Sequence, residues 1–393
     1  ERAISIQLTS IVQHPEFRRL ERVWKGLELL ASRTPKTGVR LEVLSCEAAT
    51  YPAGLARSIE AGRGTEPPVS CALVDHTVDG SAASFGVFRQ LAELGQNHTV
   101  PVLMNAGAGL FRHEDLTQVD RLDNKAALFE SPEAITWRSE VNRPAALWTA
   151  LSLNRVLSRL PYDRRTSRIR EAEVVELHDE ADPEAALFIS AAWVVGSLIT
   201  RSFERHQWPC GITGARNGGV AENLPVRQVD TPGASERVAV PTEVFFSTDT
   251  QKQLSRLGLI ALASQPNDDS TYLLTAPTAY VPPPKRTYEG ASTEPEVRFP
   301  ATPLVDQLFV ARLIQFIQAL NERIAPTEAP ADIQAFLEAA LWELFSDAKP
   351  GRLELSVDVQ ATEGGATASF QIRPHRFLGV QMEELAFDIP IGG

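Results

Sequence analysis

The stretch AAWVVGSLITRSFERHQWPCGITGARNGGVAENLPV, residues 191–226, decides how the rest of the chain is organised. Apolar residues recur at helical spacing over its first part, with charged residues between them, which predicts an amphipathic helix packed on a core. Pro209 cannot continue the helical hydrogen-bond ladder, so we expect the helix to end at Trp208. The loop that follows predicts tight backbone turns because it contains four glycines: Gly211, Gly214, Gly218 and Gly219.

The whole chain has the composition of a soluble globular protein. Its 393 residues suffice for two or three domains, or for one large domain with an insertion. It is 43% hydrophobic and 22% charged, with no apolar run long enough to span a bilayer and no signal-peptide pattern. Because the first residue is Glu1 rather than methionine, we expect the sequence to be a fragment of a longer protein.

The charge balance and the cysteines exclude several functional classes. The formal net charge of -12 argues against general nucleic-acid binding, which needs a basic surface. Three cysteines, Cys46, Cys71 and Cys210, are far apart in sequence and form no C-x-x-C pair. A disulfide framework or a zinc site is therefore not expected, and these thiols suit a reducing cytoplasm.

The first half of the chain predicts an α/β layer. The apolar side of the first long helix consists of Phe17, Leu20, Val23, Trp24 and Leu27. In chain order, we expect a helix over 4–30 broken at Pro15, a strand over 39–44, a short buried strand after Val69, a helix over 85–94, a strand over 100–105, a helix over 147–160 and a charged surface loop over 168–183. Strand, helix and strand at this spacing form the βαβ unit of a parallel sheet.

The second half predicts a short polar helix, a connector, two long helices and a meander. The expected elements are a strand over 244–246, a helix over 249–257 with a capping box at Thr248 and Gln251 and a C-terminal cap at Gly258, an extended connector with seven prolines over 277–303, helices over 304–324 and 333–345, and antiparallel strands near 353–359, 370–372 and 385–391.

These elements predict a mixed α/β fold in successive regions. The regions are an N-terminal helical segment (1–35), an α/β domain (36–190), a central domain with the glycine-rich turn and the short surface helix (191–276), the proline-rich connector (277–303), and a helical pair with C-terminal strands (304–393). The last strand is free to pair with the sheet edge of a neighbouring chain. Its candidate inter-subunit residues are Leu385, Phe387, Ile389 and Ile391.

No stretch carries a complete catalytic, cofactor or metal motif. Gly107 and Gly109 follow a strand, but the third glycine of the dinucleotide fingerprint is absent, so a simple strand-to-helix turn is favoured over a phosphate site. The run at 113–115, His-Glu-Asp, points its side chains in different directions and is not expected to bind metal. Cys210 is a candidate nucleophile, but no paired histidine can be inferred and a buried thiol is the commoner role. His206 is close in sequence, and its commoner role is that of a helix-end histidine.

Five motifs in a fixed order resemble one known family. They are HPEFRRLERVWKGLELL (14–30), WRSE (137–140) followed by SRLPY (158–162), GGVAENLPV (218–226), PTEVFFSTDTQKQLSRLGLIAL (241–262) and RPHRFLGV (373–380). Together they resemble the TssC/VipB family, the large sheath subunit of the bacterial type VI secretion system. The resemblance covers nearly the whole chain.

This resemblance implies a non-enzymatic structural role in the bacterial cytoplasm, without a cofactor. Members of the family pair with a small sheath subunit, TssB/VipA, and stack as six-fold rings around an inner tube of Hcp, with terminal strands crossing between subunits. Contraction propels the tube, and the AAA+ ATPase ClpV then disassembles the sheath, mainly through the small subunit. Family members also carry a further N-terminal segment before the HPEF helix, which contributes to pairing with the small subunit.

The resemblance also suggests roles for particular residues. Asp249, Lys252 and Arg256 are expected to face the inner tube, with a solvated helix face as the alternative. Gly218 and Gly219 are expected to form a structural turn between sheath domains.

Two other functions stay open on the sequence alone. One is an α/β small-molecule enzyme that binds an anionic ligand at the loop of Gly107 or the loop at 211–219. The other is a baseplate or tube-associated protein of the same contractile machine.

Overall fold

The helices and strands of the protein come from a computed structural model, which describes residues 2–47, 50–61, 68–162, 176, 186–229, 237–283, 301–325, 329–345, 353–362 and 365–391. The helices are α1 (Arg2–Val12), α2 (Pro15–Arg33), α3 (Tyr51–Ala61), α4 (Ala82–His98), α5 (Leu116–Asp120), α6 (Lys125–Glu130), α7 (Ile135–Val141), α8 (Ala191–His206), α9 (Thr248–Arg256), α10 (Leu304–Asn321) and α11 (Pro330–Leu344). The strands are β1 (Ala72–Val78), β2 (Val102–Ala106), β3 (Thr149–Leu153), β4 (Val156–Arg159), β5 (Leu187–Ile189), β6 (Val220–Ala221), β7 (Arg227–Val229), β8 (Val238–Val240), β9 (Leu259–Ala261), β10 (Ala263–Ser264), β11 (Thr271–Tyr272), β12 (Leu353–Thr362), β13 (Gly365–Pro374) and β14 (Leu385–Ile391).

A four-stranded parallel sheet in the order β1-β2-β3-β9 is the central layer. The predicted βαβ unit is confirmed as β1, α4 and β2, with Ala72 opposite Val102. Helix α4 is longer than expected at both ends. It begins after Ser81, whose hydroxyl accepts the Ser84 N–H, and it ends at Thr99 in the left-handed conformation. Parallel sheets are normally buried on both faces, and both faces of this sheet pack against other elements of the chain.

Successive sheet residues enter two different cores. Leu103 and Ile260 pack with α8, α10, α11 and the C-terminal strands. Met104 and Leu259 point to the other face and pack with α3, α4 and α9. Because side chains alternate along a strand, the sheet separates the two cores and belongs to both.

Helix α8 confirms the prediction for the opening stretch, and it is more deeply buried than an amphipathic pattern suggests. Every residue from Ala191 to Thr200 is buried. The helix ends two residues before Trp208, because Gln207 takes a left-handed conformation and its N–H donates to Phe203 O. Charged residues appear only in the last two turns, where the helix leaves the core.

Four aromatic rings join α8 to the C-terminal third of the chain. Trp208 stacks on Phe309 of α10 and on Phe345 after α11, with ring centroids 5.2 and 4.9 Å apart. Phe377, between β13 and β14, meets Trp208 edge-on at 5.2 Å. Offset and edge-on aromatic contacts add to the energy of burial, so the C-terminal helices and strands share one core with α8.

The predicted antiparallel meander is confirmed as β12-β13-β14. Ten residue pairs join β12 to β13, from Leu353 opposite Pro374 to Thr362 opposite Gly365. Phe370 and Phe387 lie opposite each other on β13 and β14 and stack at 5.1 Å. The predicted helices over 304–324 and 333–345 correspond to α10 and α11; α10 begins at Leu304 as predicted, and the other three ends differ by one to three residues.

The predicted helix over 147–160 is wrong. The chain forms the end of a 3-10 helix, then β3, a turn and β4. Asn154 makes the turn with a positive φ of 75°, and its buried side chain donates to Val244 O and Leu262 O. All five residues of β3 are buried, so the polar alternation that would mark a strand is missing.

Two predicted strands form no ladder. Residues 244–246 are not a strand because the Asn154 side chain occupies the backbone groups of Val244. Its amide oxygen accepts the Val244 N–H, and its amide nitrogen donates to Val244 O. Residues 40–44 are exposed, and 39–44 belong to no strand ladder within the described ranges. Both segments have a strand-like pattern, and at 244–246 the hydrogen bonds of the distant Asn154 decide the outcome.

Smaller differences concern caps and the connector. Pro15 breaks the N-terminal helix as predicted and is the first residue of α2. Ser247, one residue before the expected Thr248, caps α9 by accepting the Thr250 N–H, and Gly258 follows its C-cap with a φ of 77°. Pro277 and Pro303 form an antiparallel bridge, so the two described ends of the proline-rich connector lie side by side.

Some predictions fall outside the described residues. The predicted loop at 168–183, except Glu176, is among them, as are residues 284–300 of the connector. Across the described ranges, no helix combines the length and the apolar character needed to cross a membrane.

Candidate interaction surfaces

Helix α9 presents the three predicted charges on one exposed face. Asp249, Lys252 and Arg256 follow one another at three- and four-residue steps, which places them in a row along the helix. All three are exposed, while Thr250 and Leu254 are buried on the opposite side. A partner protein can therefore contact these three charges without disturbing the packing of the helix.

Hydrogen bonds hold α9 firmly against the segment that leads into α6. The Thr250 hydroxyl donates to Asp120 Oδ1 at 2.8 Å, and Gln253 accepts the Lys125 N–H at 3.0 Å. Lys125 is itself buried, with its ammonium donating to the carbonyls of Asp120 and Leu122. Burial lowers the pKa of Lys125. The exposed charges of α9 thus stand on a rigid support.

The glycine-rich turn requires glycine at both positions that the sequence indicated. Gly218 has a φ of 89°, and a Cβ there would overlap Gly211 O. A Cβ on Gly219 would lie 2.6 Å from Gly214 N, 2.7 Å from Ile212 O and 2.8 Å from Leu273 O. Backbone atoms surround both glycines, so no side chain can rotate away to make room.

Five amides of this turn are engaged within the protein. Loop amides that donate to protein acceptors are those of Gly211, Ile212, Gly214, Asn217 and Gly219. A cleft of about 350 Å³ beside the turn carries Arg33 and Arg201 but also Glu204 and Glu222, so its charges balance. Neither feature supports an anionic ligand at the glycine-rich loop.

The loop at Gly107 and Gly109 is likewise a packing turn. The Gly107 N–H donates to Val78 O at 3.0 Å. A Cβ on Gly109 would lie 2.7 Å from Asp79 O, so glycine allows this loop to approach the turn after β1. The sequence-based preference for a strand-to-helix turn agrees with this geometry.

The motif RPHRFLGV contacts the glycine-rich turn. Gly379 has a φ of 84°, and a Cβ there would lie 2.9 Å from Asn217 Nδ2 and 3.3 Å from Thr213 Oγ1. The turn therefore packs against the connection between β13 and β14. That the turn also sets one sheath domain against another stays a prediction.

Strand β14 is the edge of the C-terminal sheet, but its apolar side chains face inward. Leu385, Phe387 and Ile389 pack against the core, and Ile391 is 3% exposed. The backbone N–H and C=O groups on the free edge of β14 are therefore the groups available to a neighbouring chain, while the four apolar side chains hold the strand against the core. Pairing of this edge with another chain stays a prediction.

An apolar surface on α1 and α2 was not predicted. We call it the α1–α2 surface. Its residues, with their exposed fractions, are Ile4 (57%), Ile6 (64%), Ile11 (47%), Phe17 (41%), Leu20 (52%) and Trp24 (61%). The sequence contained the signal, because Phe17, Leu20 and Trp24 are spaced as one helical stripe. We had assigned that stripe to the same core as Val23 and Leu27, which do pack inward.

Helix α2 is fixed on α8 by a close contact. Gly26 is buried, and a Cβ at this position would lie 2.5 Å from Trp193 Cδ1. The missing side chain lets the indole ring lie directly against the α2 backbone. This contact turns Val23 and Leu27 toward the core and leaves the stripe of Phe17, Leu20 and Trp24 outward.

Two motifs are joined by a buried ion-pair cluster. Arg159 of SRLPY donates to both carboxylate oxygens of Glu21 in the HPEF helix, at 2.7 and 2.8 Å. Its Nη1 and Nη2 atoms donate to Glu176 at 2.6 and 3.1 Å, so that Nη2 is shared by the two carboxylates, and its guanidinium lies 4.0 Å from the centre of the Tyr162 ring. The cluster holds α2 against β4.

The WRSE motif also serves packing. Trp137 lies against Phe129 and Phe85, and Arg138 donates to the carbonyls of Phe129 and Ser131. Glu140 is 2% exposed and is paired with Arg89. These side chains fix α7 against α4 and α6, and their partners lie within the chain.

The remaining candidates for chemistry lie in unreactive surroundings. Cys210 is fully buried, and burial raises the pKa of its thiol. Asp115 accepts the Gln118 N–H as the cap of α5, and His113 pairs with the Gln118 side chain. Among the residues that the structure describes, no group of three or more His, Cys, Asp or Glu side chains could hold a metal ion.

Comparison with known proteins gives matches to sheath proteins. The family model described as "EvpB/VC_A0108, tail sheath N-terminal domain" of VipB matches residues 1–280. The type VI secretion system sheath protein TssC1 of Pseudomonas aeruginosa is 23% identical over 296 residues, 71% of this chain and 59% of that relative's length. The sheath tail protein Lin1278 of Listeria innocua aligns with a TM-score of 0.41 and 10% identity, over 88% of this chain and 60% of that structure.

Proposed function

This chain belongs to the VipB tail-sheath family, and we propose that it is the large subunit of the contractile sheath of a bacterial type VI secretion system. The observation that carries the proposal is the extent of the family match, which runs from α1 through the central sheet to Tyr280. A sheath family implies a structural, non-enzymatic role. Two of the motifs support this role because they bind each other: Arg159 of SRLPY donates to Glu21 of the HPEF helix.

The proposed partner at the N-terminus is the small sheath subunit. The α1–α2 surface exposes six large apolar side chains on adjacent helices, and apolar patches of this kind mark protein interfaces. Trp24 and Phe17 are suitable anchors because aromatic side chains contribute most at the centres of interfaces. In this proposal the small subunit covers the stripe formed by Phe17, Leu20 and Trp24.

The proposed contacts to other copies and to the tube use two further surfaces. The free edge of β14 pairs with a strand of a neighbouring chain, which links successive six-fold rings. The charged face of α9, with Asp249, Lys252 and Arg256, faces an inner tube of Hcp type. Contraction then follows from repacking between subunits, and a ClpV-type ATPase disassembles the contracted sheath, mainly through the small subunit. The assembly operates in the bacterial cytoplasm.

Electron microscopy of the protein produced together with its small sheath subunit tests this function. We expect tubes whose cross-sections are cogwheel-shaped, with six-fold symmetry. Purification of both proteins as separate soluble species, without tubes, would contradict the proposal. A baseplate role predicts discrete particles instead of repeating rings, so the same images distinguish the two.

A further inference from the structure

A partly buried arginine on α10 has no acceptor within the described part of the chain. The guanidinium of Arg312 lies 4.9 Å from the centre of the Phe203 ring and 5.1 Å from the centre of the Trp208 ring. Its Nε atom is buried without a hydrogen-bond partner, and no described residue forms a hydrogen bond or an ion pair with the guanidinium. The rings therefore hold a group of five N–H donors whose hydrogen bonds are unused within the described residues.

The surroundings of Arg312 do not neutralise its charge. Burial lowers the pKa of Arg312, and among the described residues only the thiol of Cys210 acts to raise it. That thiol is fully buried, and because burial raises its pKa, it stays protonated at neutral pH. Asp306 of the same helix accepts the Gln381 N–H instead. A charge that is partly removed from water without a counter-charge costs free energy, so a carboxylate at this place would stabilise it.

The two aromatic rings leave room for such a group. Arginine usually stacks on a ring by the face of its planar guanidinium, which leaves the N–H donors in the plane free. Arg312 is partly exposed, so a group from outside the chain can approach it. Because the rings already hold the side chain, binding costs less conformational entropy than at a mobile surface arginine. Carboxylate oxygens match the parallel N–H donors of a guanidinium.

We propose that Arg312 is the binding site for a carboxylate group that comes from outside the chain. Its guanidinium supplies two charge-assisted hydrogen bonds, while Phe203 and Trp208 hold it in place. The carboxylate belongs either to a side chain of a neighbouring sheath chain or to a free carboxylic acid. The first source rests on the function proposed above, whereas the site itself does not.

Melting temperatures of the chain alone test the site, in sodium acetate and in sodium chloride at equal ionic strength. We expect acetate to raise the melting temperature of the unsubstituted chain by at least about 1 °C more than that of Arg312→Met, because only the first binds the carboxylate. Arg57→Met removes an exposed arginine elsewhere and should keep the full acetate effect. Equal acetate effects in the unsubstituted chain and in Arg312→Met overturn the proposal.

The same measurements test whether Arg312 serves the chain itself. Methionine keeps an apolar side chain against the rings, so the melting temperature of Arg312→Met in chloride should fall by less than about 2 °C. A larger fall without any acetate effect would make Arg312 a structural contact. Asp347 is outside the described residues, two positions after Phe345, whose ring stacks on Trp208. If acetate stabilised Asp347→Asn but not the unsubstituted chain, the carboxylate would come from the same chain, which also overturns the proposal.

Assembly with the small sheath subunit distinguishes the two sources of the carboxylate. If a neighbouring sheath chain supplies it, Arg312→Met and Arg312→Lys should lower the fraction of the chain found in tubes at least about tenfold, since lysine cannot form the two-point contact. If a free carboxylic acid supplies it, both variants should form normal tubes while the acetate effect on the unsubstituted chain remains. Loss of tubes without any acetate effect would overturn the site. Absence of tubes from the unsubstituted chain, with the acetate effect present, would overturn only the function proposed above.

Discussion

Arg159 in β4 and Glu21 in α2 form a two-point ion pair across 138 residues of sequence, with both contacts at or below 2.8 Å. The side chains are 13% and 14% exposed, and Glu176 on the other side of the guanidinium is 3% exposed. Three buried charges therefore depend on one another. The N-terminal helix is attached to the sheet domain by a polar contact as well as by apolar packing.

Substitution Arg159→Met should destabilise the chain by about 3 to 5 kcal/mol, because it leaves two carboxylates buried without their cation. Urea unfolding followed by circular dichroism measures the loss. The control is Arg19→Met. The side chains of Arg19 and its partner Glu16 are each 70% exposed, so losing this pair should lower the free energy of unfolding by less than about 1 kcal/mol. Similar losses for the two variants would show that the Arg159 cluster contributes no more than a surface pair.

Substitution Gly219→Val should destabilise the chain by at least about 3 kcal/mol, because three backbone atoms lie within 2.8 Å of the added Cβ. Insoluble protein or a strongly lowered melting temperature is the expected result. Gly86→Ala is the matched control, since a Cβ there meets nothing within 4 Å inside α4. That control should be neutral or stabilising by up to about 1 kcal/mol. If the Gly219→Val variant formed tubes of normal stability, the glycine-rich turn would not be required for the structure.

The double substitution Lys252→Glu with Arg256→Glu should abolish assembly around the inner tube while leaving the fold and the small-subunit contact intact. Both side chains are exposed, so the stability cost should stay below about 1 kcal/mol. Co-sedimentation with the tube protein measures the effect. Arg57→Glu with Arg323→Glu makes the same change in net charge at exposed sites elsewhere. If both double variants bind the tube equally well, α9 does not face it.

Asp75 gives the protein a pH dependence of defined sign. Burial raises the pKa of Asp75 above 3.8, although the Ser190 hydroxyl donates to it at 2.8 Å. The folded chain therefore holds this proton more tightly than the unfolded chain, and stability falls as pH rises from 3.8 through the folded pKa. Asp75→Asn removes this loss. Its stability relative to the unsubstituted chain should increase with pH, as measured by urea unfolding between about pH 3 and pH 7.

Asp115→Asn is the control with the opposite sign. Burial alone would raise the pKa of Asp115, but hydrogen bonds from Gln118 and Thr117 lower it below 3.8. The unsubstituted chain gains stability as pH rises from the folded pKa to 3.8, and Asp115→Asn lacks that gain. Its relative stability should therefore decrease with pH. The same trend in both variants would contradict the assignment for Asp75.

The spacing of apolar residues predicted the elements that have one buried, apolar side and one exposed, polar side. The meander was found from the alternation in β12 and β14, and α4 from its helical spacing. Periodicity failed for β3, where all five residues are buried and no alternation exists. It failed again at Val244, because the competing hydrogen bonds come from Asn154, 90 residues earlier.

The sequence predicted one of the exposed surfaces, the charged face of α9, and did not predict the other, the α1–α2 surface. The polar character of the short helix predicted that it lies on the surface, and the family resemblance singled out Asp249, Lys252 and Arg256 on it. The α1–α2 surface was not predicted, because α2 has apolar residues on two sides and sequence alone cannot assign the sides. The contact between Gly26 and Trp193 shows which side packs inward.

That contact also has a mechanical consequence. The Trp193 ring lies against bare backbone at Gly26, without a flexible side chain between the two helices. Helix α8 in turn packs on three strands of the parallel sheet and shares its core with the C-terminal meander. We therefore expect a load on the outer stripe of α2 to pass through α8 into the sheet, with little bending between the two helices.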